Sequence, residues 1–227
     1  YDFSTKEDTR LSEGLRAFSP SYSPDGSKIL FISGGDGTLN LFLADKNLSN
    51  KKQLTFFKNG EQIHNPVFHT DEKSAIFNFS KNEARQIAIV EIETGKMEFI
   101  FDKEVIDYRT PVVSKDSSKM FFSSNETGIF NIYSYDFKSK EIKQITNVLG
   151  GAFMPSIDDK GNMAYTSYKS TGFKIAYLKE FTERNKSDFG HYKAPEKLVP
   201  QYSSLDSTDS KDNKFNWNYL RNFNDDN

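Results

Sequence analysis

The sequence contains four copies of one motif, spaced about 45 residues apart. In each copy a proline is followed by an aspartate four or five positions later, and then by an apolar run. The four prolines are Pro20, Pro66, Pro111 and Pro155, with spacings of 46, 45 and 44 residues. A repeat of this length is typical of a β-propeller, in which similar sheets pack face to face around a central axis.

Each copy predicts one four-stranded antiparallel sheet, or blade. The first strand is expected to start at the proline, where the missing N–H costs no ladder hydrogen bond. The second strand is almost entirely apolar, as expected for burial on both faces, and the third alternates with a period of two. The predicted second strands are residues 29–33, 75–80, 120–124 and 163–167, and the third strands are 39–44, 86–92, 130–137 and 173–178. Short fourth strands are predicted at residues 53–55, 98–101 and 144–146.

The two ends of the chain depart from the repeat. We assign residues 1–12 to the end of a preceding blade, residues 13–200 to the propeller, and residues 201–227 to a polar tail or linker. The fourth copy lacks an immediate closing strand, for which residues 196–199 are the candidate. Either residues 1–12 complete the last blade of a four-bladed ring, or further blades complete a larger ring. We favour the larger ring, because four blades is the lower end of the known range.

The composition excludes several classes of site. Cysteine is absent, which excludes disulfides, thiol nucleophiles and thiolate metal sites. A net charge of -2 predicts no nucleic-acid partner, and no apolar stretch is long enough for a membrane helix. The 21 Phe and 11 Tyr are expected to supply much of the core.

The repeat resembles the one found in TolB-type propellers. Residues 23–33 read Ser-Pro-Asp-Gly-Ser-Lys-Ile-Leu-Phe-Ile-Ser, and residues 130–133 read Phe-Asn-Ile-Tyr, as in that family. The resemblance covers about residues 1–180. It implies an all-β fold with about four blades present here, as part of a ring that usually has six. It also implies a bacterial protein that is periplasmic or associated with the outer membrane, with a partner such as an outer-membrane protein or lipoprotein.

Related propellers have other roles as well. In prolyl-oligopeptidase-like enzymes the propeller gates a separate α/β-hydrolase domain. Residues 150–155, Gly-Gly-Ala-Phe-Met-Pro, resemble a bacterial group in which the propeller precedes an outer-membrane β-barrel.

No group of residues in the sequence predicts catalysis, and no cofactor is expected. Three histidines are too few and too scattered for a zinc triad, and no Gly-x-Ser-x-Gly motif is present. The adjacent acids Asp158 and Asp159 do not form a calcium-loop motif. We therefore expect a protein that is not an enzyme and has neither catalytic residues nor a metal site.

Binding residues are expected in the loops that enter the first strand of each blade, because such loops surround the mouth of a propeller's channel. The loops 56–65, 103–110 and 147–154 combine charges with aromatic rings, which suits protein or peptide recognition. The candidates are Glu61, His64, Asp107, Arg109 and Phe153. For His64, an exposed histidine without a ligand is the alternative.

The polar tail contains one apolar cluster, formed by Trp217, Tyr219 and Phe223. We expect it to dock, either on the propeller itself, which is the favoured interpretation, or on a partner or further domain.

Three functional hypotheses follow from the sequence. The first is a non-catalytic module that binds protein or peptide in a bacterial envelope assembly. The second is the propeller of a larger serine peptidase whose catalytic domain lies outside this sequence. The third is a glycan- or metal-binding propeller, which requires stacked aromatic rings or converging carboxylates in the channel.

Overall fold

The computed structural model describes residues 4, 6, 8, 10–81, 84–101, 103 and 105–188. It contains four antiparallel sheets, each formed by consecutive strands. Blade 1 has β1 (Ala17–Tyr22), β2 (Lys28–Gly35), β3 (Thr38–Asp45) and β4 (Lys52–Gln53). Blade 2 has β5 (Gln62–Phe68), β6 (Ser74–Ser80), β7 (Gln86–Glu91) and β8 (Met97–Phe99). Blade 3 has β9 (Tyr108–Val113), β10 (Lys119–Ser124), β11 (Asn131–Asp136) and β12 (Ile142–Gln144). Blade 4 has β13 (Ala152–Ile157), β14 (Met163–Lys169) and β15 (Gly172–Leu178), and a short 3-10 helix follows at Lys186–Asp188.

The predicted all-β architecture is confirmed. Every predicted second and third strand is present, and its ends differ from the prediction by at most two residues. The first strands β1, β5, β9 and β13 are neighbours in that order, so they form the inner side of the stack of blades. Within the described ranges, no helix has the length and apolar character needed to cross a membrane.

The prediction that each first strand starts at the repeat proline was wrong. The strands begin three or four residues earlier, and the proline lies inside them. At each proline the pairing with the second strand shifts register, which marks a β-bulge. The residues before the prolines have left-handed backbones: Ser19, Asn65, Thr110 and Met154 have φ of 49°, 50°, 52° and 52°. A bulge accommodates a proline inside a strand, because one residue there is left out of the ladder.

Apolar cores lie between successive blades. Leu30 of blade 1 packs with Ile63 and Phe77 of blade 2, and Ile76 on the other face of blade 2 packs with Phe122 of blade 3. A third core joins blade 3 to blade 4. The second strands of blades 1 to 3 are therefore buried on both faces, as their continuous apolar sequences predicted.

In two of the blades, a hydrogen-bonded pair of side chains links the third strand to the residues that follow the fourth strand. The pair is Asn40 and Thr55 in blade 1, and it is Asn131 and Thr146 in blade 3. The threonine hydroxyl donates to the asparagine Oδ1 at 3.0 and 2.9 Å, and it accepts the backbone N–H after the asparagine at 2.9 and 2.8 Å. In blade 4 the residue that matches the asparagine is Lys174, which lies opposite Ser167 as Asn131 lies opposite Ser124. Blade 4 accordingly has three strands among the described residues.

After β15 the chain returns to the rim of blade 3. The backbones of Gln144 and Arg184 exchange two hydrogen bonds, of 2.9 and 3.0 Å. Residues 196–199, expected to close blade 4, lie outside the described residues. The domain boundaries and the closure of the ring therefore remain predictions.

Candidate binding site on the innermost strands

Three of the predicted binding residues occupy equivalent positions in successive blades. His64, Arg109 and Phe153 each lie two residues before the repeat proline, as does Phe18 in blade 1. The prediction that these three residues lie in loops was wrong, because each lies within a first strand, β5, β9 or β13. The reason is the bulge at the proline, which lets the strand continue upstream of it. The sequence nevertheless selected side chains that lie at equivalent positions in three successive blades.

Arg109 is held in place by Asp107. The Arg109 Nε donates to Asp107 Oδ2 at 2.8 Å, and the Nη2 atom makes a second contact with the same oxygen. Asp107 is buried, and its backbone N–H donates to Asn125 Oδ1 at 2.9 Å. The other carboxylate oxygen accepts the backbone N–H of Arg85 at 3.3 Å. Asp107 is thus a positioning residue for Arg109 rather than an exposed contact for a ligand.

A row of aromatic rings continues from Arg109 into blade 4. The Arg109 guanidinium carbon lies 4.6 Å from the ring centroid of Phe130, and the Phe130 and Phe153 centroids are 5.1 Å apart. Phe153 is 6.4 Å from Phe173, which is 4.8 Å from Tyr168. Phe173 is 66% exposed and Tyr168 is also exposed. We call these five residues, Arg109, Phe130, Phe153, Phe173 and Tyr168, the cation–aromatic row.

Glu61 has a structural role in the loop before β5. Its side chain is buried, accepts the backbone N–H of Asn59 at 2.6 Å and lies 3.4 Å from the Lys81 ammonium. The hydrogen bond from Asn59 holds the pKa of Glu61 below its usual value, and Lys81 acts in the same direction. Glu61 is therefore not placed as a free recognition group.

His64 lies on β5 opposite Asn78 of β6. Burial lowers the pKa of His64 below 6.5, and the positive charge of Arg85 lowers it further. The imidazole is thus neutral at neutral pH. Because the unfolded chain then binds more protons than the folded one, this group makes the fold less stable as the pH falls through about 6.5.

An NMR titration of the imidazole signals is expected to give His64 a pKa below 6.5. The variant Arg85→Gln is expected to raise that pKa, because it removes a positive charge near the ring. The signal is assigned with His64→Gln. A pKa at or above 6.5 in the unmodified chain would contradict this electrostatic description.

The sequence missed four residues of this region: Phe18, Phe130, Tyr168 and Phe173. The offset from the proline identifies Phe18, and Phe173 directly follows the turn glycine Gly172. The proximity of Phe130 and Phe153 depends on how blade 4 packs on blade 3, which the sequence pattern does not show. The predicted docking residues Trp217, Tyr219 and Phe223 lie outside the described residues.

The chemistry available in this region is recognition. In the described part of the chain, no group of three or more His, Asp or Glu side chains is arranged to hold a metal ion. A fixed guanidinium beside half-buried rings, with exposed rings further along the row, favours contacts with aromatic, proline or acidic side chains of a partner.

Comparison with known proteins agrees with this architecture. A TolB from Acinetobacter baumannii superposes with a TM-score of 0.64 at 22% identity, over 76% of this chain and 44% of that one. A protein described as a TolB from Agrobacterium tumefaciens gives 0.63 at 16% identity, over 74% and 64%. A puromycin hydrolase gives 0.62 at 14% identity, over 75% and 28%. At these identities the likeness shows the fold, and the chain spans less than two thirds of each of these proteins.

No curated protein sequence matches the chain. The family model of the TolB beta propeller domain matches residues 4–203, which is most of the sequence. The chain therefore belongs to the TolB beta propeller domain family.

Proposed function

We propose that this chain is a non-catalytic module that binds a protein or peptide in a bacterial envelope assembly. The binding surface is the cation–aromatic row. The periplasmic or outer-membrane location rests on the family, whose TolB members are envelope proteins. A protein partner anchored at or near the outer membrane is the expected ligand.

The observation that carries the proposal is the contact of Arg109 with Phe130, continued by Phe153 and Phe173. Arginine is among the residues that contribute most to the energy of protein interfaces, and phenylalanine is enriched there because large aromatic side chains bury much area. The Phe173 ring is 66% exposed, although Tyr168 and Phe153 lie beside it. The row is thus a group of anchor residues on a rigid scaffold, exposed at Phe173 and Tyr168 and half-buried at its other members.

The test is a pull-down from detergent-solubilised bacterial envelopes with the full chain and with the double variant Phe153→Ala/Phe173→Ala. We expect the double variant to retain at least about tenfold less of a specific envelope protein, because two lost anchors cost about 2 kcal/mol or more. The bound protein is identified by mass spectrometry, and its affinity for both chains is then measured with purified components.

The matched control is Phe56→Ala, since Phe56 is similarly exposed but lies outside the row. It is expected to retain the same protein as the unmodified chain. Equal capture by the double variant would show that binding occurs elsewhere on the chain. Absence of any specific envelope partner would remove the support for an envelope module.

A second candidate is the propeller of a larger serine peptidase. It is favoured by the structural likeness to a puromycin hydrolase, of which this chain covers only part. Labelling of the natural full-length protein with a fluorophosphonate probe distinguishes the two. Covalent labelling would support the peptidase, and its absence alongside specific partner binding would support the envelope module.

A further inference from the structure

Where the second strand turns into the third, the same position carries a charged residue in three blades. It lies three residues after the second-strand residue that pairs with the one two before the repeat proline. The residues at this position are Lys81 in blade 2, Glu126 in blade 3 and Lys169 in blade 4. The strand register therefore makes the three positions directly comparable.

In blades 2 and 3 this charge has an ion-pair partner in the loop that enters the first strand. The Lys81 ammonium lies 3.4 Å from the Glu61 carboxylate. The Lys103 ammonium lies 2.5 Å from the Glu126 carboxylate. Both glutamate side chains are only 8% exposed. Each ion pair thus joins the turn of its blade to the loop beside it.

Blade 4 provides no such partner for Lys169. Its loop reads Asn-Val-Leu-Gly-Gly over residues 147–151 and carries no charge. Among the residues that the structure describes, no carboxylate forms an ion pair with the exposed Lys169. Gly150 faces Lys169, since a Cβ on Gly150 would lie 3.5 Å from the Lys169 Cα. The same Cβ would lie 2.1 Å from the Tyr168 carbonyl oxygen, so this position has no room for a side chain.

A cavity of about 500 Å³ lies between this loop and the end of β14. Its lining is mainly apolar, and the side chains that form it are Val148, Leu149, Ser167, Tyr168, Lys169 and Ser170. The Tyr168 N–H donates to the Gly151 carbonyl at 2.8 Å, which holds the two walls together. Leu149 is 88% exposed. The cavity is thus a preformed pocket with one ammonium group, and its volume is within the range of ligand sites.

The sequence around the pocket is basic. Residues 142–157 and 160–179, which include the loop and strands β13 to β15, contain five lysines and neither Asp nor Glu. Asp158 and Asp159 lie in the turn between β13 and β14, at the opposite end of β14 from Lys169. Complementary charge favours an anionic ligand at this pocket.

The pocket is continuous with the cation–aromatic row, because Tyr168 belongs to both. At the other end of the row, Arg109 already binds Asp107. The positive charge that a ligand on this surface can match is therefore that of Lys169.

We propose that this pocket determines which segments the binding surface accepts, and that its ligand is an acidic segment of the partner protein. An Asp or Glu side chain of the partner pairs with Lys169, and an adjacent apolar side chain packs on Leu149 and Tyr168. The partner thus supplies the opposite charge that blades 2 and 3 obtain from their own loops. This inference rests on the proposed function, because it specifies the chemistry of the ligand at the same surface.

The probe is a phage-displayed library of random short peptides, selected on the full chain and, in parallel, on the variant Lys169→Glu. On the unmodified chain, we expect Asp or Glu next to an apolar residue at least about three times as often as in the unselected library. On Lys169→Glu, we expect a preference for Lys or Arg instead, because the charge to be matched is reversed. An equal acidic preference on both chains, or none on the unmodified chain, would overturn the proposal.

A charge exchange locates the effect at Lys169. A peptide selected on the unmodified chain is labelled with fluorescein, and its binding is followed by anisotropy. Lys169→Glu is expected to weaken binding about fivefold or more, and replacing the peptide's acid by lysine should restore it. Leu149→Ser is expected to weaken binding about threefold, because it removes an apolar contact. Equal binding of the acidic peptide to the unmodified chain and to Lys169→Glu would contradict the assignment.

The matched control is Lys138→Glu, which makes the same charge change at an exposed position in the turn after β11. It is expected to leave peptide binding unchanged. A loss equal to that of Lys169→Glu would mean that only net charge matters, and the proposal would be wrong. All three positions are exposed, so thermal unfolding should be nearly the same for these chains.

Failure of this proposal differs from failure of the proposed function. Selected peptides that lose binding to Phe153→Ala/Phe173→Ala but not to Lys169→Glu would support the cation–aromatic row and refute the role of the pocket. A successful charge exchange together with normal binding to the double variant would retain the pocket and refute the row as the anchor.

Discussion

Replacing Phe122 by alanine is expected to lower the free energy of unfolding by about 4 kcal/mol, since the ring is fully buried and its removal leaves a cavity. Its centroid lies 5.1 Å from Phe101, 5.8 Å from Tyr108 and 5.9 Å from Tyr133. These rings form the core between blades 2 and 3, which cannot collapse easily because two sheets frame it. Urea unfolding followed by circular dichroism measures the change.

The control for this prediction is Phe173→Ala. The same side chain is removed from a position that is 66% exposed, so the expected loss is below about 0.5 kcal/mol. A loss below about 1 kcal/mol for Phe122→Ala would show that the core between blades 2 and 3 is not packed as described.

Replacing Asn78 by leucine is expected to cost about 3 kcal/mol, because it leaves buried backbone groups without partners. The fully buried Asn78 side chain crosses from β6 to β9. Its Nδ2 donates to the Tyr108 carbonyl at 2.8 Å, and its Oδ1 accepts the Thr110 N–H at 2.8 Å. The Thr110 N–H sits at the bulge before the proline, where the ladder leaves it unpaired. Urea unfolding again measures the effect.

Asn78→Ser is the informative second variant. In blade 3 the matching residue is Ser123, whose Oγ accepts the Met154 N–H at 3.1 Å. A serine at position 78 can therefore still accept a hydrogen bond from the backbone N–H at the bulge. We expect the serine variant to lose less stability than the leucine variant. Asn59→Leu, at an exposed position, is expected to change stability by less than about 0.5 kcal/mol. Equal losses for serine and leucine at position 78 would contradict the role given to this hydrogen bond.

Asn78 also affects the proposed binding surface. Asn78 fixes the backbone on both sides of Arg109, through Tyr108 and Thr110. Asp107 then fixes the Arg109 side chain. The position of the cation–aromatic row thus depends on how blade 2 packs against blade 3.

Local sequence patterns predicted much of this fold. The four prolines and the apolar runs after them located the second and third strands to within two residues. The first strands were predicted to begin three or four residues too late in the sequence. A proline suggests the start of a strand when no bulge is expected. The bulge depends on the neighbouring blade, since the side chains of Asn78 and Ser123 satisfy the N–H groups that it frees.

The candidate site was predicted less completely than the fold. His64, Arg109 and Phe153 were selected from the charged and aromatic segments that enter the first strands, and the structure places them in equivalent positions. Glu61 and Asp107 were expected to be binding groups, but both are buried and hold backbone groups or Arg109 in place. Nothing in the spacing of charged residues distinguishes an exposed carboxylate from one that accepts buried hydrogen bonds.

The sequence by itself determined the all-β class, the repeat and the number of blades present, because these follow from periodicity, turn residues and apolar runs within about 45 residues. Only the tertiary structure decided which side chains meet across blades. The contact of Phe130 with Phe153, the contact of Phe181 with Phe121, and the pocket beside Lys169 join residues from different repeats or elements. Such contacts depend on how one sheet packs on the next, and side-chain packing between sheets leaves no periodic signal in the chain.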